Sequence, residues 1–134
     1  MHDTIHRRRY TTNMAQQITF QRIEGLALFL AATVLYFFLG FHWLVYVLLL
    51  FAFDMFMVGY LFNNKVGAYV YNLGHSLIVP SIVGVIGVLT EGNILIGLSL
   101  LWFAHVGIDR SLGYGLKATT GFTHTHLGSI GKKE

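Results

Sequence analysis

Four apolar stretches, roughly 18–39, 41–62, 66–89 and 94–112, follow one another almost without interruption. Each is close to the ~20 residues an α-helix needs to cross hydrocarbon. Composition agrees: of 134 residues 54% are hydrophobic and 11% charged, less than half the charged share of about 25% in an ordinary soluble domain. A membrane protein follows, and the stretches fill so much of the chain that no separate soluble domain is expected. In lipid each helix satisfies its own backbone hydrogen bonds, and connections this short make neighbouring helices antiparallel. The expected fold is all-α, a four-helix transmembrane bundle. A basic extension (1–17) precedes the bundle (18–113), and a Gly/Thr-rich tail (114–134) follows it.

The cations orient the bundle. Arg7, Arg8, Arg9 and Arg22 sit at its start, Lys65 between the second and third helices, and Arg110, Lys117, Lys132 and Lys133 at or beyond the end of the fourth. The connections around Gly40 and around Glu91 to Asn93 carry none. The positive-inside rule then places both termini in the cytoplasm, in a multi-pass protein of the inner (cytoplasmic) membrane. The first stretch follows "HRRRY" as a signal peptide would, but it is long and lacks a small-x-small cleavage site, so it reads as a retained helix. The net charge of +3 is mostly this topology signal. No basic face interleaved with recognition residues points to nucleic acid. Without cysteine, disulfides and thiolate ligands are excluded, and any metal must be held by nitrogen and oxygen.

Ionisable groups inside membrane helices are rare, and they mark function by default. The first helix carries Glu24, the second Asp54, the third Asn72 and His75, the fourth His105 and Asp109. At 1.5 Å rise per residue, Asp54 and His75 each fall ~12 Å from the cytoplasmic end, His105 at a similar level, Asp109 one turn nearer the cytoplasm and Glu24 ~9 Å deep. Asn72 shares a helix face with His75, and His105 shares one with Asp109. Carboxylates and histidines converging from facing helices build metal sites in bundle cores. Imidazole with carboxylate suits zinc, iron or manganese. The bland alternative is a polar cluster that only fixes packing, with His105 donating to Asp109 and Asp54 paired with Arg110.

Other features carry less. Trp43, Tyr46 and Trp102 read as interface or packing aromatics. Pro80 predicts a kink in the third helix. "THTH" offers His124 and His126, although tail histidines are more often solvated. Phe122 is placed to fold the tail under the cytoplasmic mouth, where Lys117 and His126 would meet an anionic substrate.

The segments "RIEGLALF", "FDMFMVGYLFNNKVGAYVYNLGHSLIVP" and "LLWFAHVGIDRSLGYGLKATTGFTHTHLG" together resemble the small bacterial membrane family called domain of unknown function 4260. The resemblance covers about 22–131. It confers no activity. It implies that Glu24, Asp54, Asn72, His75, His105, Asp109, Arg110, Lys117 and His126 fall in characteristic motifs, as do Gly59, Tyr60, Gly67, Tyr71, Gly113, Tyr114, Gly115 and Thr125. The family commonly places an acidic residue where His124 stands, which argues against a tail metal pair as a family feature. A looser similarity exists to small membrane-bound metal-dependent hydrolases, at the level of residue types only.

These observations favour a membrane-embedded metal-dependent hydrolase acting on a lipid or amphipathic substrate from the cytoplasmic side. His75, His105, Asp54 and Asp109 would bind the metal. Glu24, Asp54 and Asn72 are the catalytic candidates, Glu24 as general base, and Arg110, Lys117 and His126 would hold an anionic head group. Three alternatives stay open. One is a proton- or ion-coupled transporter subunit using Asp54, His75 and Asp109 as a relay, which needs a homo-oligomer. Another is a haem-b carrier ligated by His75 and His105. The last is a structural membrane protein.

Overall fold

The structure, a computed structural model, describes residues 2–131, with side chains from Thr11 onward. Lys132 and Lys133 lie outside the described residues. The chain is mostly helical, and four segments are long and apolar enough to cross a membrane: Thr11–Phe38, Trp43–Leu61, Asn64–Leu89 and Asn93–Leu112. The first belongs to α1 (His2–Phe38), which begins well before residue 18 because neither glycine nor proline interrupts the sequence ahead of Gly25. It stops at Gly40, whose φ of +80° is a left-handed conformation that glycine adopts without steric cost.

The second segment is one apolar run but two kinds of helix. α2 (Trp43–Leu50) is capped by the His42 side chain, which accepts from the Leu44 N–H at 3.1 Å. From Ala52 to Leu61 the chain tightens into a 3₁₀ helix. At three residues per turn, positions i and i+3 eclipse, and burial follows that period. Phe53, Phe56 and Gly59 face inward while Met55, Val58 and Leu61 are exposed. Gly59 admits Val70, and Phe56 packs over Gly74, which fastens the 3₁₀ helix to α3 (Asn64–His75).

The third segment breaks between α3 and α4 (Ile78–Leu89). Pro80 has no N–H to bond the carbonyl of Ser76, four residues back, and Ser76 is extended (ψ 158°). The expected kink is therefore a full interruption. The fourth segment, α5 (Asn93–Leu112), hydrogen-bonds to a carbonyl on each side of the break. Trp102 Nε1 donates to Gly74, and Ser99 Oγ donates to Pro80 at 2.8 Å.

α5 is the centre of the bundle, packed against α1, α4 and α2, with Leu101, Ala104, His105 and Val106 all but inaccessible. The α1–α5 crossing depends on paired glycines. A Cβ on Gly107 would stand 2.6 Å from the Phe29 nitrogen, and one on Gly25 would stand 2.7 Å from Arg110 Cβ. Arg22 Nε donates to the Ser111 carbonyl at 2.9 Å. The outer faces expose Phe38, Leu48, Val58, Ile82, Leu89 and Ile94, a surface suited to lipid. Beyond Gly113, left-handed at φ +96°, the tail makes a small hairpin of β1 (His124–Thr125) and β2 (Gly128–Ser129).

Candidate metal centre

Two breaks in helical regularity and one unbroken helix bring the polar groups together. Asp54 lies in the first turn of the 3₁₀ helix. His75 is the last residue of α3. His105 and Asp109 lie one turn apart on α5. One ligand atom from each falls within 4.8 Å of all the others.

The four are not equivalent. His75 Nε2, His105 Nε2 and an oxygen of Asp109 form a tight triangle with sides of 3.1, 3.4 and 3.5 Å. Asp54 stands slightly apart, 3.9 Å from His75 and 3.8 Å from His105. The imidazoles are 3% and 2% exposed and the Asp109 side chain 18%, whereas the Asp54 side chain is 42% exposed. Ligand atoms ~2.1 Å from a tetrahedral metal lie ~3.4 Å from one another. The triangle meets that spacing, and its donors are the nitrogen and oxygen types that zinc, iron and manganese accept.

The rings are held by their surroundings. His75 Nδ1 lies 2.9 Å from the Tyr71 carbonyl, one helical turn earlier, and the Tyr71 ring stacks on the imidazole at 3.7 Å and 12°. The Leu50 backbone is a hydrogen-bonding neighbour of His105, and Phe53 covers that ring while stacking on Trp102. Partners on the far ring nitrogen fix tautomer and orientation in metal-binding histidines. Tyr71 and Leu50 are the residues that the sequence reading gave no such role. The four-residue step from Tyr71 to His75 was the available sign. A haem is poorly served here, since its axial ligands stand on opposite faces of the porphyrin and these nitrogens are 3.1 Å apart.

The remaining candidates lie around this group. Asn72 uses both ends of its amide on the tail: Nδ2 donates to the Lys117 carbonyl at 2.8 Å, and Oδ1 accepts from the Lys117 N–H at 2.6 Å. The Lys117 side chain is buried, its Nζ donating to the Phe122 carbonyl at 2.9 Å and lying over the Phe122 and Tyr71 rings. Burial lowers its pKa, and the Asp109 charge works in the opposite direction. Phe122 also packs edge-on to Tyr60, so the tail does fold against the bundle. Glu24 is outside the group of four. It lines a separate pocket with Arg110 and His126. His126 Nδ1 accepts from the Leu116 N–H at 2.8 Å, and His124 Nδ1 is 2.9 Å from the Thr120 hydroxyl.

The fold and this group together define a multi-span helical membrane protein with an imidazole–carboxylate cluster capable of holding a metal ion. The chain belongs to the family described as a domain of unknown function (DUF4260), whose model matches residues 18–130. No curated protein and no solved structure matches it.

Proposed function

We propose that the chain is a membrane-embedded metal-dependent hydrolase of lipid or amphipathic esters. The observation that carries this reading is the unequal spacing of the four ligands. A site that only holds structure closes four ligands around its metal, whereas a catalytic one uses three and leaves a position open. His75, His105 and Asp109 are the three. Asp54, further off and more exposed, would stand beside the position left open.

A divalent ion held there would supply Lewis acidity toward water and toward a carbonyl or phosphoryl oxygen. Asp54 would orient the water, accept its proton as the oxygen attacks, and return the proton to the departing alcohol. Tyr71 and Phe53 would hold the imidazoles fixed and keep bulk water from them. The general-base role thus goes to Asp54 instead of Glu24. Asn72, joined to the tail backbone, acts as a positioning residue. Arg22, Lys65 and Lys117 follow the charge asymmetry of the connecting segments read from the sequence. This supports a cytoplasmic placement of both termini in the inner membrane of a bacterial cell.

The test is elemental analysis of protein purified in mild detergent without chelators, beside a folded His105→Ala variant, coupled to hydrolysis of micellar carboxylic and phosphoric esters. About one equivalent of zinc, iron or manganese, absent from the variant, with metal-dependent ester cleavage is the expected result. Metal-free wild-type protein overturns the reading. Metal-free protein with pH-driven flux in proteoliposomes would instead make the cluster a proton relay.

A further inference from the structure

The geometry points to a second site, distinct from the four-residue cluster, for a zwitterion that joins a primary ammonium to a phosphate, as in an aminoethyl phosphate head group. Glu24 on α1, Arg110 on α5 and His126 in the hairpin line one pocket of about 200 Å³. It has room for a head group but not for a whole lipid.

The charges in it are opposite and separated. Glu24 and Arg110 feel each other electrostatically, yet among the described residues the ion pairs closed within 4.0 Å are those of the His–Asp cluster. A carboxylate and a guanidinium that face a common space leave room for a ligand carrying the complementary pair. His126 supplies a directed donor. Its Nδ1 is occupied by the Leu116 N–H, so in the neutral ring the proton sits on Nε2. Gly115 makes that seating possible, since a Cβ there would stand 2.5 Å from His126 Nδ1.

Guanidinium and imidazole N–H groups suit phosphate oxygens, and Glu24 accepts from an ammonium. Leu28 and Leu77 complete the wall on the apolar side, and Gln21 adds an amide at the rim. Glu24 and Arg110 sit at the level where α5 ends, beside the Arg22–Ser111 contact. A helix of 20 residues spans about 30 Å, the hydrocarbon thickness, so this level is the lipid head-group region. The ammonium separates this ligand from a simple anion, which Glu24 would repel.

The full chain in detergent is titrated with phosphatidylethanolamine, phosphatidylcholine and phosphatidylglycerol of matched acyl chains, and bound lipid is counted by native mass spectrometry. A charge-assisted hydrogen bond is worth about tenfold in affinity, so phosphatidylethanolamine is expected to bind about tenfold tighter than either of the others. Glu24→Gln should abolish that preference, and Arg110→Gln should weaken all three lipids, each variant first shown to be folded by circular dichroism. Competition by free phosphoethanolamine identifies a soluble ester as the natural source, and its failure to compete identifies the membrane lipid; both retain the ammonium–phosphate chemistry. Equal binding of the three lipids by the wild type, or a preference that survives Glu24→Gln, overturns the proposal.

Discussion

His75 and His105 point their Nε2 atoms at each other across 3.1 Å, while His75 Nδ1 lies 2.9 Å from the Tyr71 carbonyl. A carbonyl only accepts, so Nδ1 of His75 bears the proton and Nε2 presents a lone pair. His105 turns its Nε2 to the same point with the Leu50 backbone as its other neighbour. Two imidazole nitrogens that converge beside two carboxylates form a group that could hold a metal ion, as proposed above. Added zinc, iron(II) or manganese should therefore stabilise the protein, by about 2.7 kcal/mol at a hundred times Kd. Thermal melting in detergent reads this directly. His105→Ala should be indifferent to metal, and a wild-type midpoint that does not move would count against the cation.

The two carboxylates should separate in their effects. Asp109 completes the tight triangle at 3.4 and 3.5 Å, whereas Asp54 stays at 3.8 Å or beyond. Asp109→Asn is expected to lose the metal. Asp54→Asn is expected to keep most of it while hydrolysis falls by about 10²–10⁴-fold, the usual worth of a general base. Metal content and kcat measured on the same preparations decide the matter. Equal metal loss in both variants would make Asp54 a fourth ligand.

Asn72 ties the tail to α3 by two hydrogen bonds to the Lys117 backbone, at 2.6 and 2.8 Å. Asn72→Ala leaves a backbone donor and acceptor without those partners, at a cost of about 1–3 kcal/mol. The loss should appear as faster proteolytic cleavage within residues 114–131, with metal content nearly unchanged. A tail as protected as in the wild type would show that Lys117 and Phe122 hold it unaided.

His126 makes docking of the hairpin sensitive to acid. Burial, opposed by the Leu116 backbone hydrogen bond and reinforced by the Arg110 charge, keeps this imidazole below its ordinary pKa. When the folded value is the lower one, the unfolded segment takes up its proton first as pH falls. The docked state thus has its full stability above about pH 6.5 and loses it as pH drops through the folded pKa. Protonation also ends the acceptance from Leu116. The side-chain NMR titration of His126 should have its midpoint below about 6.5. Tail proteolysis should rise with acid in the wild type but little in His126→Gln, whose carbonyl can still accept. A midpoint above the ordinary value would refute this account.

The bundle was legible because hydropathy and length alone decide which segments suit a bilayer, and the cluster was legible because Asp54, His75, His105 and Asp109 interrupt apolar runs at matching depths. What escaped was local. Nothing in the hydropathy of "FAFDMFMVGYLF" distinguishes a 3₁₀ helix from an α-helix. The inward face of Phe53, Phe56 and Gly59 emerges only from packing against Trp102, Gly74 and Val70. Depth counts position along the helix axis but not which way a side chain faces, and Glu24, at a comparable depth, lines a separate pocket with Arg110 and His126. The Asn72–Lys117 brace joins residues 45 apart, beyond the reach of any helical period.

Glycine substitutions test whether packing positions the cluster. A Cβ on Gly74 would meet the Phe56 ring at 2.3 Å, and the ring can give way only by moving the 3₁₀ helix that also carries Asp54. A Cβ on Gly107 would meet α1 backbone at 2.6 Å, where no side chain can rotate to relieve it. Overpacking costs about 1–3 kcal/mol where neighbours can adjust and more where they cannot. Gly107→Ala should accordingly lower the melting temperature more than Gly74→Ala. Gly74→Ala, by shifting Asp54 away from His75, should depress hydrolysis beyond what its melting temperature implies while the His75–His105–Asp109 triangle still takes up metal. Equal melting losses with full hydrolytic activity in Gly74→Ala would show that the 3₁₀ helix can be displaced without consequence, and with it the role given to Asp54.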